Sequence, residues 1–210
     1  MKKTLSIVLV ICTILSICSF SVAAAPEGTA VSSAAEFAAM AADGKYYLAN
    51  DITLDATYAG PFKGTLDGNG KTLTVSAPIF AAIEGATIKN LTVAGAIDGA
   101  GADAAAVAVT AAGAVTFDGI YNKATITNAA TGAGILAIAD ATATVTMINC
   151  RNDAAISTSG QAAGLVGYIN NNVNTITSSE NHGEIKSTGG SAAGMGNCVY
   201  FKSTVSMTLG

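Results

Sequence analysis

The sequence predicts an all-β fold, a right-handed parallel β-helix with three strands per coil, a period of about 29–30 in the numbering for each rung, and a short N-terminal capping helix. Three observations predict it. Thr87, Thr116, Thr146, Thr175 and Thr204 recur at successive differences in number of 29, 30, 29 and 29. Ile88, Phe117, Met147, Ile176 and Val205 follow those threonines, and Ile97, Ile126, Ile156 and Ile185 keep the same beat further along each rung. A third run, Ala105, Gly134, Gly164 and Gly194, is spaced almost identically. A fixed period of this length marks a solenoid, in which one repeat cannot bury its own apolar face and stacking supplies the core.

Residues 1–25 read as a signal peptide. Lys2 and Lys3 precede an apolar stretch from Leu5 to Val22, and Ala23, Ala24 and Ala25 supply a small-residue cleavage site. The stretch approaches the roughly 18 apolar residues of a membrane anchor. The cleavage site and the lack of a basic flank favour removal, so membrane contact is expected through this segment alone. Leu15-Ser16-Ile17-Cys18 loosely resembles a lipoprotein signal, with bulky Ile17 where a small residue belongs.

Residues 26–84 read as a cap helix and opening strands. Ser33-Ala34-Ala35-Glu36 is a capping box, and Phe37, Met40 and Ala41 fall on one side of the helix it opens. Such a helix would cover the unpaired end of the coil. Tyr46-Tyr47-Leu48 and Ile52-Thr53-Leu54 are expected to form a strand pair. Phe62 to Leu66 and Lys71 to Val75 follow, joined by Asp67-Gly68-Asn69-Gly70, whose residues favour hairpin turns.

Residues 85–210 read as regular rungs. In the first strand of each, alternation sends the threonine to solvent and its apolar neighbours inward. Phe117, Met147 and Ile176 should form one interior column, and Ile126, Ile156 and Ile185 another. Asn122, Asn152 and Asn181 share a corner, where asparagine tolerates left-handed geometry and can bond to its stacked copies. The third strand runs from the glycine column through Ala106, Ile135, Leu165 and Met195 into the core. Parallel crossovers favour the right-handed coil. Ser203-Thr204-Val205-Ser206 repeats a first strand, and nothing after Cys198 has the composition of a cap. The reading is an unfinished edge that would take further rungs or self-associate.

The chain has 10 basic and 14 acidic residues, and loss of Lys2 and Lys3 leaves 8 against 14, a net charge of −6. That surface argues against nucleic acid as a partner. Two of four cysteines survive cleavage. Cys150 falls in a column with Leu91 and Ile120, Cys198 in one with Val109, Ile138 and Tyr168, so two packed thiols are expected rather than a disulfide.

The stretches YYLANDITL, PFKGTLDGNGKTLTV and GATIKNLTVAGAI resemble the opening of bacterial surface-protein β-helices built from Gly-Leu-any-Gly repeats, the GLUG motif. Gly164-Leu165-Val166-Gly167 matches that motif fully. Gly134-Ile135-Leu136-Ala137 departs at its last position, Gly194-Met195-Gly196-Asn197 at two, and Ala105 replaces the first glycine in the earliest rung. The resemblance spans about Tyr46 to Asn197. It implies an exported, cell-surface or adhesin-type scaffold, extracellular or surface-bound, in which catalysis is not expected.

Candidate chemistry is sparse. Asp67 and Asn69 could ligate Ca²⁺, which takes six to eight oxygens, but two in one turn are better explained by the turn itself. Some β-helix proteins cleave acidic polysaccharides with clustered acids and a basic residue. Arg151 is the only arginine, and Asp153, Glu180, His182 and Glu184 are its nearest titratable neighbours. Stacking would set Arg151 beside Glu180 as a surface ion pair. A threonine column also suits ice binding, yet the adjacent outward rank, Lys89, Asp118, Ile148, Thr177 and Ser206, is charged and irregular. Threonine otherwise suits an exposed strand, where it can bond to its stacked copies. Asn90-Leu91-Thr92 matches a glycosylation sequon at a corner of the repeat. No Ser/His/Asp set, zinc spacing or phosphate loop stands out. The expectation is therefore a non-enzymatic adhesion or display module, without cofactor or metal. Its binding face would be Thr87, Thr116, Thr146, Thr175 and Thr204, and its partner a glycan or a host or matrix surface. A polysaccharide-active enzyme and an ice-binding protein are the alternatives.

Overall fold

The computed structural model describes residues 25–170 and 174–198. The segment 1–24, Thr204, Val205 and the strand restart at 203–206 lie outside the described residues. Within them the chain is a parallel β-helix whose strands pair coil to coil and in parallel throughout. One side stacks Thr29–Val31, Lys45–Leu48, Thr65–Asp67, Thr87–Asp98, Ala114–Asn122, Thr144–Ile148 and Asn174–Thr177. A second stacks the end of Thr87–Asp98 on Thr125–Ala133, Ile156–Ala163 and Ile185–Ser187. The third is a six-stranded sheet from Tyr58–Phe62 to Gly196–Cys198.

The opening segment belongs to this same solenoid. Lys45 stacks on Thr65 and Thr65 on Thr87, differences in number of 20 and 22. Those coils are shorter than the later ones, so they escape a search at the longer period. The expected pairing of Tyr46–Leu48 with 52–54 does not occur. Lys45–Leu48 pairs with Thr29–Val31 and Thr65–Asp67, whereas Ile52–Leu54 pairs with Thr72–Val75. Nor is Asp67-Gly68-Asn69-Gly70 a hairpin. It is a corner, because the strands on either side of it both continue onto the next coil.

The cap is smaller than its sequence pattern suggests. Thr29–Val31 forms an unforeseen first strand, and the helix covers only Ala34–Ala38. Ser33 caps it, accepting from Glu36 N, while Glu36 accepts from Ser32 N at 2.7 Å. Met40 is buried beyond the helix and Ala41 is exposed, because the chain leaves helical geometry at Ala39. Phe37 packs on Tyr58 and Phe80, and Phe62 stacks on Phe80 at 5.0 Å. This aromatic group fills the first coils where the later ones use mainly aliphatic residues.

The interior columns fall as expected. Leu66, Ile88, Phe117, Met147 and Ile176 stack in register, as do Ile97, Ile126, Ile156 and Ile185. All are fully buried except Ile176 and Ile185, which pack partly covered in the last described coil. Each full burial is worth about 1.5–3 kcal/mol over exposure.

Two corners differ from the sequence reading. Asn122, Asn152 and Asn181 do stack, but the left-handed residues are Asn90, Gly119, Asn149 and Ser178, with φ of 51, 65, 53 and 49°. As expected, the corner asparagines bond to their stacked copies, in an amide ladder whose first two members, Asn122 and Asn152, are fully buried. Asn122 Nδ2 donates to Asn152 Oδ1 at 2.7 Å and Asn152 Nδ2 to Asn181 Oδ1 at 2.6 Å. Each amide also donates to the main-chain carbonyl two positions on. The second difference is Ala105, which pairs with Ala133 rather than Gly134, so Ala106 takes the glycine position. The corner between Asp98 and Ala104 holds one more residue than its counterpart between Thr127 and Gly132.

The Gly-Leu-any-Gly pattern now has a physical cause. A Cβ on Gly134 would lie 2.2 Å from Gly164 O and 2.7 Å from Asn152 Oδ1, so the first glycine makes room for the asparagine ladder. Leu165 and Val166 are fully buried in the core. A Cβ on Gly167 would lie 2.6 Å from Ala137 O and 2.8 Å from Thr131 Cγ2, beside the small cluster of Ala105, Ala133 and Ala137.

Cys150 is free and buried in the column of Leu91 and Ile120, and burial pushes its thiol up to about 11, which leaves it unreactive. Cys198 pairs with Ile169, across an irregularity, rather than falling in the column of Tyr168.

Candidate functional site: the threonine face and its polar neighbour

The threonine column forms and begins one coil earlier than predicted, at Thr65. Thr65, Thr87, Thr116, Thr146 and Thr175 pair one to the next in register; Thr204 is outside the described residues. Thr87, Thr116 and Thr146 are half-buried and Thr175 is exposed, while Ala86, Ile88, Val115, Phe117, Val145 and Met147 flank them inward. Contrary to expectation, the column does not bond to itself. The hydroxyls of these five threonines make no hydrogen bond within the described residues, so they face outward with both donor and acceptor capacity unused. Adjacent strands place one such hydroxyl about every 4.8 Å. Asp67, Lys89, Asp118, Ile148 and Thr177 form the neighbouring column, which is charged and irregular.

Past the left-handed corner, Tyr121 stacks on Arg151 and Arg151 on Glu180. Two positions further along the chain in each coil lie Lys123, Asp153 and His182. The six side chains form a patch of mixed charge over three coils. The expected pair of Arg151 and Glu180 forms at 3.4 Å, but the tighter partner of Arg151 is Asp153, at 2.6 Å through Nε and 2.8 Å through a terminal nitrogen. Tyr121 donates its hydroxyl to Asp153, with Arg151 5.2 Å and Lys123 4.5 Å from its ring centre. His182 lies 3.5 Å from Asp153 and 3.0 Å from Glu180. Sequence reasoning missed Tyr121 and Lys123. The available signal was that Tyr121 precedes Arg151 by the same offset that separates Thr116 from Thr146.

Arg151, and after it Tyr121, hold the Asp153 carboxyl down to about 2. A carboxyl lowered in the folded state contributes stability above its unfolded value and loses that contribution as pH falls towards the folded one. Carboxyl NMR should show Asp153 titrating near 2, and Arg151→Ala should move it back up towards the ordinary carboxylate range. An unchanged midpoint in Arg151→Ala would refute this assignment. Within the patch the Asp153 carboxylate is taken up by Arg151 and Tyr121, and Glu180 lies between Arg151 and His182.

Asp67 is similarly committed. Burial pushes its carboxyl up, but donors outweigh it: Asn69 N at 2.8 Å, Asn90 Nδ2 at 3.1 Å and Lys89 Nζ at 3.2 Å. A carboxylate so filled fastens a corner between coils, where a hairpin turn was expected. Among the described residues no group of three His, Cys, Asp or Glu is arranged to hold a metal ion, and no helix is long and apolar enough to cross a membrane.

Comparison of the chain with protein-family models, with curated proteins and with solved structures finds no match in any of the three.

Proposed function

We propose that this is an exported, non-enzymatic surface scaffold, an adhesion or display module, whose threonine face binds a glycan or matrix polymer. The observation that carries the reading is the column of five in-register threonines with unused hydroxyls. A linear polymer laid along the coil axis would meet one hydroxyl per coil, and a neutral sugar chain supplies matching donors and acceptors. The export-type N-terminus and the resemblance to Gly-Leu-any-Gly surface β-helices support the same reading. Commitment of Arg151 and Asp153 to one another, with Tyr121 on the same carboxylate, argues against the polysaccharide-cleaving alternative.

A glycan and matrix array probed with the full chain tests it. The expected result is capture by a neutral or weakly charged glycan. Thr116→Lys should then weaken capture about tenfold while the fold is retained, since it removes polar contacts and forces a long charged chain into the column. Capture that survives Thr116→Lys and Thr146→Lys would place binding elsewhere, and turnover of a glycan would replace the scaffold reading with an enzymatic one.

A further inference from the structure

A cavity of about 330 Å³ opens beneath the cap helix, away from the threonine face. Its walls are Ala34, Phe37 and Ala38 of the helix and the segment from Leu54 to Ala59. Phe37, Leu54 and Tyr58 are buried and give it an apolar body. The polar groups in its wall are few, chiefly Asp55 and Thr57. Its size and this mixture of apolar wall and sparse polar groups are those of a small-molecule site.

Charge then narrows the ligand. Asp55 is exposed at the wall and has no hydrogen bond or ion pair within the described residues. The segment that builds the cavity is acidic as well. Residues 25–59 carry Glu27, Glu36, Asp43, Asp51 and Asp55 against the single cation Lys45, a local balance of −4. Lys45 is turned to Glu27, at 3.8 Å, rather than to Asp55. An unpaired carboxylate on a segment of net negative charge attracts a cation and repels an anion.

We infer that this cavity is a binding site for a small aromatic amine, its ring against Phe37 and Leu54 and its ammonium at Asp55. The inference is independent of the threonine face, which lies on another side of the coil, so either can fail alone.

The test uses the full chain and three probes of similar size: 2-phenylethylamine, 2-phenylethanol and 3-phenylpropionate. Methyl NMR follows Ala34, Ala38 and Leu54. The amine should shift these methyls at concentrations about two- to fivefold below the alcohol, the factor expected of a solvent-accessible ion pair. The carboxylate should bind most weakly, and added salt should shrink the difference. Asp55→Asn should bring amine and alcohol to equal affinity with the cap intact. Ala38→Leu, which fills the cavity from the helix, should abolish both. Equal binding of amine and carboxylate, shifts at methyls outside the cavity, or no shift with any probe would each overturn the proposal. So would an amine preference that survives Asp55→Asn.

Discussion

Asn152→Ala should destabilise the protein by about 3–5 kcal/mol, although it removes only a small side chain. Asn152 is fully buried and sits between two copies of itself. Its amide donates to Asn181 Oδ1 at 2.6 Å and Ala154 O at 2.9 Å, and accepts from Asn122 Nδ2 at 2.7 Å and, more weakly, Ala154 N at 3.4 Å. Alanine leaves the Asn122 amide and the main chain at Ala154 without these partners, and each stranded buried group costs about 1–3 kcal/mol. A partial refill by water would place the loss at the lower end. Denaturant unfolding measures it, and a cost under about 1 kcal/mol would show that the ladder contributes less than one ordinary hydrogen bond. Asn152→Asp separates bonding from packing. A carboxylate cannot donate to Asn181 or Ala154, and burial raises its folded pKa. A carboxyl raised in the folded state is least harmful below its unfolded value, about 3.9, and costs more as pH rises above it. This variant should therefore be closest to the parent in acid, where the Asp153 contribution to the parent is itself declining.

The later coils were legible because their lengths differ by one residue at most, so equal spacing of Thr87, Thr116, Thr146 and Thr175 translates directly into stacking. Inside and outside followed from alternation about those threonines. The opening coils were not legible as coils, since their repeats are shorter than the later period and the strands in them are ordinary short apolar runs. One lengthened corner likewise moved Ala105 out of the glycine column. The cap helix was overread because apolar Phe37 and Met40 keep helical spacing while the backbone has already left the helix at Ala39. At the polar patch, the sequence named both Asp153 and Glu180 as neighbours of Arg151, but spacing favoured the vertical one as its partner. Asp153, two positions along the chain, points to the same side, and the bidentate geometry of the guanidinium makes it the stronger partner. Tyr121 carries no charge and gave no sign of belonging there. The missing hydrogen bonds of the threonine column were beyond sequence altogether, because a hydroxyl's partners depend on rotamers.

Two glycines of the same column should respond oppositely to one added methyl group. A Cβ on Gly134 would meet Gly164 O at 2.2 Å and Asn152 Oδ1 at 2.7 Å, one of them main chain and the other fixed by the amide ladder. Neither can retreat cheaply, because Gly164 O and Asn152 lie within stacked coils and shifting either disturbs coil-to-coil hydrogen bonds. Gly134→Ala should therefore cost about 3 kcal/mol, at the upper end of the usual range for overpacking. At Gly194, the last member of the column, a Cβ would find no described atom within 4 Å, and its φ is not in the left-handed region. Gly194→Ala should be neutral or stabilise by up to about 1 kcal/mol, since alanine restricts the unfolded chain more than glycine does. Thermal or denaturant unfolding of the two variants compares them directly. Equal losses would mean that the glycine column serves backbone conformation and not the asparagine ladder. A large loss at Gly134 that is partly relieved by Asn152→Ala in the same chain would tie the first glycine of the Gly-Leu-any-Gly pattern to the amide it accommodates, since contacting residues couple in a double-mutant cycle.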